Sequence, residues 1–366
     1  MTVHTEILLI AIAVSIACAI PGVFLVLRRM SMMADAITHT VFLGIVLAFF
    51  VTEDLNSPLL LVGATLVGVG TVWLTEMIHN TGLVNEDASI GIIFPLLFSI
   101  AIILVSLYSG NAHLDVDTAL LGEIAFAPFD RWIVNGTDLG PVSLWISLGV
   151  ALINLVLVML FYKELQLSTF DPLLAGLFGF MPVLIHYVLM TMVSLTVVAS
   201  FQAVGAILVI GLMIGPAVIA YLWTDSVKAM LISSIIIGII CAVIGTEVAF
   251  TLDVSIAGAI ATTIGLALLI AVIGTPKTGY IATYRRQRHL RRHYRETMML
   301  CHIYTHMNTP VAAIENGIGT IHEHLNWKPD YTHQAASHLK KQGLLYVTNG
   351  YYTLTDKGVA QVKEII

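Results

Sequence analysis

A series of apolar stretches, each about 20 residues long, occupies the chain from Ile7 to Gly274. A helix of that length crosses the roughly 30 Å hydrocarbon layer of a bilayer at about 1.5 Å per residue. Charged residues make up only 11% of the 366-residue chain and apolar residues 58%, whereas about a quarter of the residues in soluble proteins are charged. The sequence therefore predicts an all-α polytopic membrane protein.

The positions of the apolar stretches and of the basic residues predict the topology. Residues 182–222 form either two spans or one span and a re-entrant piece, so we expect eight or nine transmembrane helices. An N-terminus outside and a C-terminus in the cytoplasm leave Arg131 as the one basic residue of 17 on the outer side, which agrees with the positive-inside rule. The candidate spans are 7–27, 33–51, 58–78, 89–108, 142–162, 182–200, 203–222, 229–250 and 255–274.

The second span carries a carboxylate and an imidazole, Asp35 and His39. Residues four apart on a helix project from one face, one turn apart. Ionisable side chains are costly inside hydrocarbon, so such a pair indicates a functional site by default. Its oxygen and nitrogen donors suit a divalent transition metal. The alternative, an internal polar pair that cements two helices, stays open at this point.

A polar interruption, KELQLSTFDPLLAGLFGFM from Lys163 to Met181, follows the fifth span. Asp171 and Pro172 predict the N-cap and first residue of a short helix, and Gly179 predicts its end. This helix either rests on the membrane or is a coupling helix that inserts into a partner protein. The chain has no G-x-x-x-x-G-K-[ST] phosphate loop. The chain is therefore either a channel or secondary transporter, or it takes its energy from ATP hydrolysis by a separate subunit, which a coupling helix would favour.

Several motifs resemble the permeases of zinc-, manganese- and iron-type ABC importers. The run RRMSMMADAITHTVFLG, from Arg28 to Gly44, is similar to the second-helix signature D-A-x-S-H of that family. Four further motifs follow in the order of the family: NEDASIGIIF, HLDVDTALLGEIAF, STFDPLLAGLFG and SFQAVGAILVIGLMIGPAVIA. The HLDVD…LLGE form resembles the manganese and iron branch more than the zinc branch.

This resemblance implies a non-enzymatic permease of the bacterial cell membrane that imports manganese, iron or zinc and holds no permanent cofactor. It would pair with a second permease subunit, identical or not, with a cytoplasmic ATPase on each half and an extracytoplasmic solute-binding protein. Asp35 and His39 would contact the passing metal. Residues of the acidic outer segment 109–141 would receive the metal or dock the binding protein, namely His113, Asp115, Asp117 and Glu123. The ATPase would contact Phe170, Asp171, Pro172, Ala175 and Gly179.

Beyond the spans the chain becomes basic and soluble-like. We divide it into a permease domain (1–276), a basic juxtamembrane linker (277–295) and a small cytoplasmic α+β domain (296–366). The expected helices and a hairpin, LLYVTNGYYTLT, with a type I′ turn at Asn349-Gly350, resemble the winged-helix domain of diphtheria-toxin-repressor-type regulators. Tethering at the membrane disfavours nucleic acid as a partner, and we expect the arginine cluster to lie against anionic lipid. The expected helices are 296–306, 311–324, 331–342 and 356–366.

Eight of the 13 histidines fall in this C-terminal part. Four of them are spaced so that they could form a regulatory metal site: His302, His306, His322 and His324. A solvated histidine surface is the alternative.

Two other functions compete with the ABC permease. One is a membrane-anchored, metal-responsive regulator, and the other is an ATP-independent metal channel or carrier.

Overall fold

The computed structural model describes residues 2–53, 57–108, 124–134, 137–275 and 279–365. The chain divides into two compact units, Met1–Ile273 and Gly274–Ile366. The segment 277–295, predicted to be a linker, is helical from Tyr280 onward and belongs to the second unit.

The first unit is a bundle of long helices. Within the described residues, nine of its helices are long and apolar enough to cross a membrane, which agrees with the upper of the two predicted numbers. Residues 182–222 form two of them, separated at Gly205, whose φ of 78° ends the first. The helices of this unit are α1 (Val3–Leu27), α2 (Ser31–Thr52), α3 (Pro58–His79), α4 (Glu86–Tyr108), α5 (Val142–Leu160), the short α6 (Tyr162–Phe170) and α7 (Pro172–Leu177), α8 (Pro182–Val204), α9 (Ala206–Trp223), α10 (Val227–Leu252) and α11 (Ile256–Gly274).

Helix α1 lies at the centre of the bundle and contacts α5, α9 and α10. A buried amide connects three helices there. Asn154 of α5 donates to the carbonyl oxygen of Ala17 at 3.1 Å and to the hydroxyl of Thr196 on α8 at 2.7 Å. Such interhelical hydrogen bonds suit the apolar interior, where each buried polar group needs a partner.

Helix α2 packs against α3 and α4, and its closest approach is made through glycine. A Cβ added at Gly44 would lie 2.5 Å from the Cα of Ala64 and 2.7 Å from the carbonyl oxygen of Gly63. The two backbones are therefore nearer than any larger residue at Gly44 permits. This contact fixes the position of the helix that carries Asp35 and His39.

The far end of the predicted outer loop forms a small hairpin that the sequence did not predict. Strands β1 (Arg131–Val134) and β2 (Thr137–Pro141) pair antiparallel. Arg131 joins the hairpin to α1, because its guanidinium lies 3.1 Å from the buried carboxylate of Glu6. It also lies 2.5 Å from Asp138, whose pKa is lowered mainly by a hydrogen bond from the backbone N–H of Gly140.

The second unit has its own core and confirms the predicted hairpin. Asn349 and Gly350 both have positive φ, 51° and 84°, as a type I′ turn requires. The first helix begins well before the predicted start, because the arginine-rich segment favours helix and is supported by a pair four residues apart, Arg292–Glu296 at 3.1 Å. The elements are α12 (Tyr280–His306), α13 (Ala312–Glu315), α14 (Ile321–His324), α15 (Pro329–Lys341), β3 (Leu345–Thr348), β4 (Tyr351–Leu354) and α16 (Asp356–Ile365).

Candidate functional site

Asp35 and His39 lie on α2 as the sequence predicts, one turn apart on the same face. The Nε2 of His39 is 3.5 Å from the Oδ1 of Asp35. Their neighbours Ala34, Ala36 and Thr38 are buried, whereas the side chains of Asp35 and His39 are 42% and 30% exposed. Asp35 is four residues past the start of α2, about 6 Å along the helix axis. The pair therefore forms a polar patch in the stretch from Met33 to Thr40, whose other residues are buried.

Two aromatic rings of α4 hold the imidazole of His39. The ring of Phe94 stacks on it with centroids 5.5 Å apart, and Phe98 meets it edge-on at 5.9 Å. Such ring contacts restrict the imidazole to one orientation. The pair offers one oxygen and one nitrogen ligand, fewer than the four to six that a divalent transition metal takes. A complete site needs donors from beyond this pair.

A second polar cluster occupies the end of the bundle where α1 and α3 finish and α2 and α8 begin. Glu76 of α3 lies 2.7 Å from the Nε2 of His186 on α8, and its other oxygen accepts a 2.7 Å hydrogen bond from Tyr187. Arg28 lies 3.2 Å from the Nδ1 of His186. Since a guanidinium only donates, Nδ1 is the acceptor and Nε2 carries the proton that faces Glu76. His186 is therefore neutral in this arrangement.

Arg28 also connects this cluster to the short helix α6. It donates to the hydroxyls of Ser168 at 2.8 Å and Thr169 at 3.1 Å. Burial lowers the pKa of Arg28 to about 10, so the guanidinium keeps its charge at neutral pH. A cavity of about 510 Å³ opens beside the cluster, and its wall includes His79, Glu86 and Pro172.

Sequence reasoning missed Glu76 and His186. Both fall inside predicted spans, so the rule that singled out Asp35 and His39 would have found them. The sequence could not show that these two residues contact each other, because 110 positions separate them and only the packing of α3 on α8 brings them together.

The segment predicted to couple to a partner has the expected local structure. Asp171 caps α7 by accepting from the backbone N–H of Leu174 at 2.9 Å, Pro172 is its first residue, and Gly179 adopts a φ of 83° just beyond its end. Ala175 is buried and faces the bundle. The exposed face carries Phe170, which the sequence analysis singled out. It also carries three large apolar side chains that the sequence analysis did not name, Leu173, Leu177 and Phe178.

The remaining predicted site residues divide into two groups. His113, Asp115, Asp117 and Glu123 lie outside the described residues. In the second unit, His302 and His306 lie side by side and His324 approaches them, whereas His322 lies 4.0 Å from Glu323.

A bundle of membrane-length helices that carries a partly exposed carboxylate–imidazole pair indicates a membrane protein with a functional polar site. Residues 2–275 match the ABC 3 transport family. The chain belongs to this family, as the permease subunit of an ABC transporter. It is not an enzyme, and ATP hydrolysis resides in a separate ATPase.

Known relatives agree with this assignment. The chain is 41% identical over 356 residues to the zinc transport system membrane protein TroD of Treponema pallidum, covering 97% of this chain and 96% of TroD. It is 44% identical over 281 residues to the manganese transport system membrane protein MntD of Bacillus subtilis, covering 77% of this chain and 95% of MntD. The alignment with TroD thus extends through most of the second unit.

A solved structure has the same fold. PsaBC from Streptococcus pneumoniae in complex with Fab matches with a TM-score of 0.65 at 29% identity, covering 78% of this chain and 96% of that chain. Family membership favours the ABC permease over the two competing functions, the membrane-anchored regulator and the ATP-independent channel or carrier.

Proposed function

We propose that this permease imports a divalent transition metal, manganese, iron or zinc, and that Asp35 and His39 ligate the ion as it crosses. One observation carries the proposal: the two donors lie 3.5 Å apart on α2 and remain partly exposed, while the other residues from Met33 to Thr40 are buried. A packing pair that cements two helices would be enclosed between them. The names of TroD and MntD support zinc and manganese as the substrates.

The ligand count supports a two-fold permease dimer. One chain supplies one oxygen and one nitrogen, so two copies, or a copy and a paralogue, related by an axis near α2 supply four donors. Four such donors satisfy the coordination that these metals take in proteins. The ion also has to leave again, which agrees with a transient site assembled from two partly exposed halves.

We infer that α7 and its flanks contact the cytoplasmic ATPase. Leu173 and Leu177 are each 84% exposed, and Phe178 is 69% exposed. Apolar side chains clustered on a solvent-facing helix end indicate an interface. Arg28 hydrogen-bonds to α6, the helix before α7, and also contacts the cluster of Glu76 and His186. A movement of α6 and α7 would therefore be transmitted to the helices around Asp35 and His39.

The orientation completes this proposal. With the N-terminus outside and the C-terminus in the cytoplasm, α7, Arg28 and the second unit all lie on the cytoplasmic side. His113, Asp115, Asp117 and Glu123 then belong to the outer face, where they would receive the ion or dock the solute-binding protein. The acidic residues there would also concentrate cations.

We also infer that the second unit is a winged-helix domain that serves as a protein-contact module. The order α12, α13–α14, α15, β3–β4 and α16 supports this interpretation, as does the common core formed by α12, α15 and the hairpin. Tethering at the membrane keeps DNA the less favoured ligand.

Metal uptake tests the proposed transport site. Cells that express Asp35→Ala or His39→Ala should lose uptake by at least 10–100-fold, since even the loss of an outer-shell partner costs that much affinity. The matched control is a second histidine–carboxylate pair at the opposite end of the bundle, His4 and Glu247, 3.4 Å apart. His4→Ala should retain uptake. Normal uptake by correctly inserted Asp35→Ala and His39→Ala chains would exclude the proposed ligands.

A further inference from the structure

The second unit brings together donor atoms from three elements. His302 and His306 lie one turn apart on α12 with ring centroids 4.8 Å apart, and Glu315 is the last residue of α13. The ligand atoms that these three residues offer all lie within 4.8 Å of one another. Among the described residues this is the one such group of three, and its residues all belong to the second unit.

A fourth donor comes from α14. The Nδ1 of His324 lies 3.1 Å from the Oε2 of Glu315, and its ring is stacked on that of His302 with centroids 6.2 Å apart and planes 22° apart. His322 is two residues away but lies 4.0 Å from Glu323. The sequence analysis predicted His322 as a fourth ligand beside His302, His306 and His324. In the structure Glu315, and not His322, lies beside these histidines.

Hydrogen bonds hold the segment that carries Glu315 against α12. The buried side chain of Asn316 donates to the carbonyl oxygen of Ile303 on α12 at 3.3 Å. Within the segment, the hydroxyl of Thr320 donates to the carbonyl oxygen of Ile314. The ring of His302 is oriented by the carbonyl oxygen of Glu315, 3.2 Å from its Nε2. Ligating histidines in metal sites are held by such hydrogen bonds to backbone carbonyls.

We propose that His302, His306, Glu315 and His324 bind one divalent cation of the zinc type. Three imidazole nitrogens and one carboxylate oxygen suit zinc better than manganese, which favours oxygen ligands. Around a tetrahedral zinc with bonds of about 2.1 Å, neighbouring ligand atoms lie about 3.4 Å apart. The donor atoms of His302, His306 and Glu315 lie within 4.8 Å of one another, so bringing these three to that spacing requires side-chain movements of roughly 1 Å.

A metal bound here regulates import rather than passing through. The site lies in the unit that follows the spans, and its ligands belong to no membrane helix. On the proposed function, the ion in question is one that the permease can deliver to the cytoplasm. Occupancy of the site then reports the cytoplasmic metal level to the transporter and lowers the rate of import.

Metal binding to the purified full-length chain tests the site. All variants carry Asp35→Ala, so that the proposed transport site does not contribute. Zinc binding is measured by equilibrium dialysis, and cobalt binding by the visible absorption of the four-coordinate ion. The matched pair is His324→Ala and His322→Ala, two changes of the same residue type on the same short helix.

We expect one high-affinity zinc per chain in the parent and in His322→Ala. His324→Ala should bind at least 10–100-fold more weakly and lose the cobalt spectrum. His302→Ala, checked for folding by near-ultraviolet circular dichroism, should behave in the same way. Equal affinities in His324→Ala and His322→Ala would overturn the site, and tighter binding of manganese than of zinc would overturn the assigned class of ion.

Uptake in zinc-loaded cells tests the regulatory role in chains that retain Asp35. His324→Ala should import several-fold faster than wild type and His322→Ala under high zinc, with equal rates under low zinc. Identical rates in all three chains under high zinc would overturn regulation. The binding assay lacks Asp35, so its outcome is independent of the transport site, and a failure of the proposed function would appear only in the uptake of Asp35→Ala and His39→Ala.

Discussion

The contact between Gly44 and α3 makes a quantitative prediction about the position of Asp35 and His39. Replacing Gly44 by alanine adds a methyl group 2.5 Å from the Cα of Ala64 and 2.7 Å from the carbonyl oxygen of Gly63. Carbon atoms in contact normally lie about 3.5–4.0 Å apart. Both obstacles are backbone atoms, so no side-chain rotation relieves the clash, and α2 must move away from α3 by about 1 Å.

Two free-energy terms oppose each other in this substitution. Overpacking of this kind costs about 1–3 kcal/mol, whereas alanine is more favourable than glycine inside a helix by about 0.5–1 kcal/mol. We expect a net destabilisation of about 1–2 kcal/mol. Transport should suffer more than stability, because metal–ligand distances tolerate about 0.2 Å and the displaced helix carries Asp35 and His39.

Thermal unfolding of the detergent-solubilised chain and metal uptake by cells together measure the effect. Gly149→Ala is the control, since no atom lies within 4 Å of a Cβ added there on α5. Gly44→Ala should unfold at a temperature a few degrees lower than wild type and import poorly, while Gly149→Ala should match or exceed wild-type stability and import normally. If the two variants were indistinguishable in both assays, the close approach of α2 and α3 would not position the site.

Two further predictions concern the polar cluster of Glu76 and His186 and the second unit. Glu76→Ala removes the hydrogen-bond acceptor of Tyr187 and the partner of His186. We expect the free energy of unfolding, measured by thermal unfolding, to fall by about 1.5–3 kcal/mol for each lost contact. Glu76→Gln should retain the hydrogen bond from Tyr187 and lower the free energy of unfolding less. Gly358→Ala would place a methyl group against the backbone carbonyl of Leu344 and should destabilise the second unit by about 1–3 kcal/mol. Near-ultraviolet circular dichroism during unfolding measures this effect. The control Gly319→Ala adds a methyl group in open space and should leave the stability unchanged.

The sequence by itself determined the features that depend on neighbouring residues. Membrane-spanning length is a local property, so the apolar stretches predicted the long helices of the described chain, and the structure decided between eight and nine by dividing residues 182–222 into two helices. Helical periodicity alone placed Asp35 and His39 on one face of α2. The turn at Asn349-Gly350 and the cap at Asp171 followed from the backbone conformations that these residues favour.

Tertiary structure alone decided which distant residues meet. Glu76 faces His186 because α3 packs on α8, and Glu315 replaces His322 beside His302 because the segment after α12 folds back on that helix. Burial likewise separated Ala175 from its exposed neighbours on α7. The pattern along one element specifies its faces, but the partner of each face is chosen by the packing of the whole chain, which no local window contains.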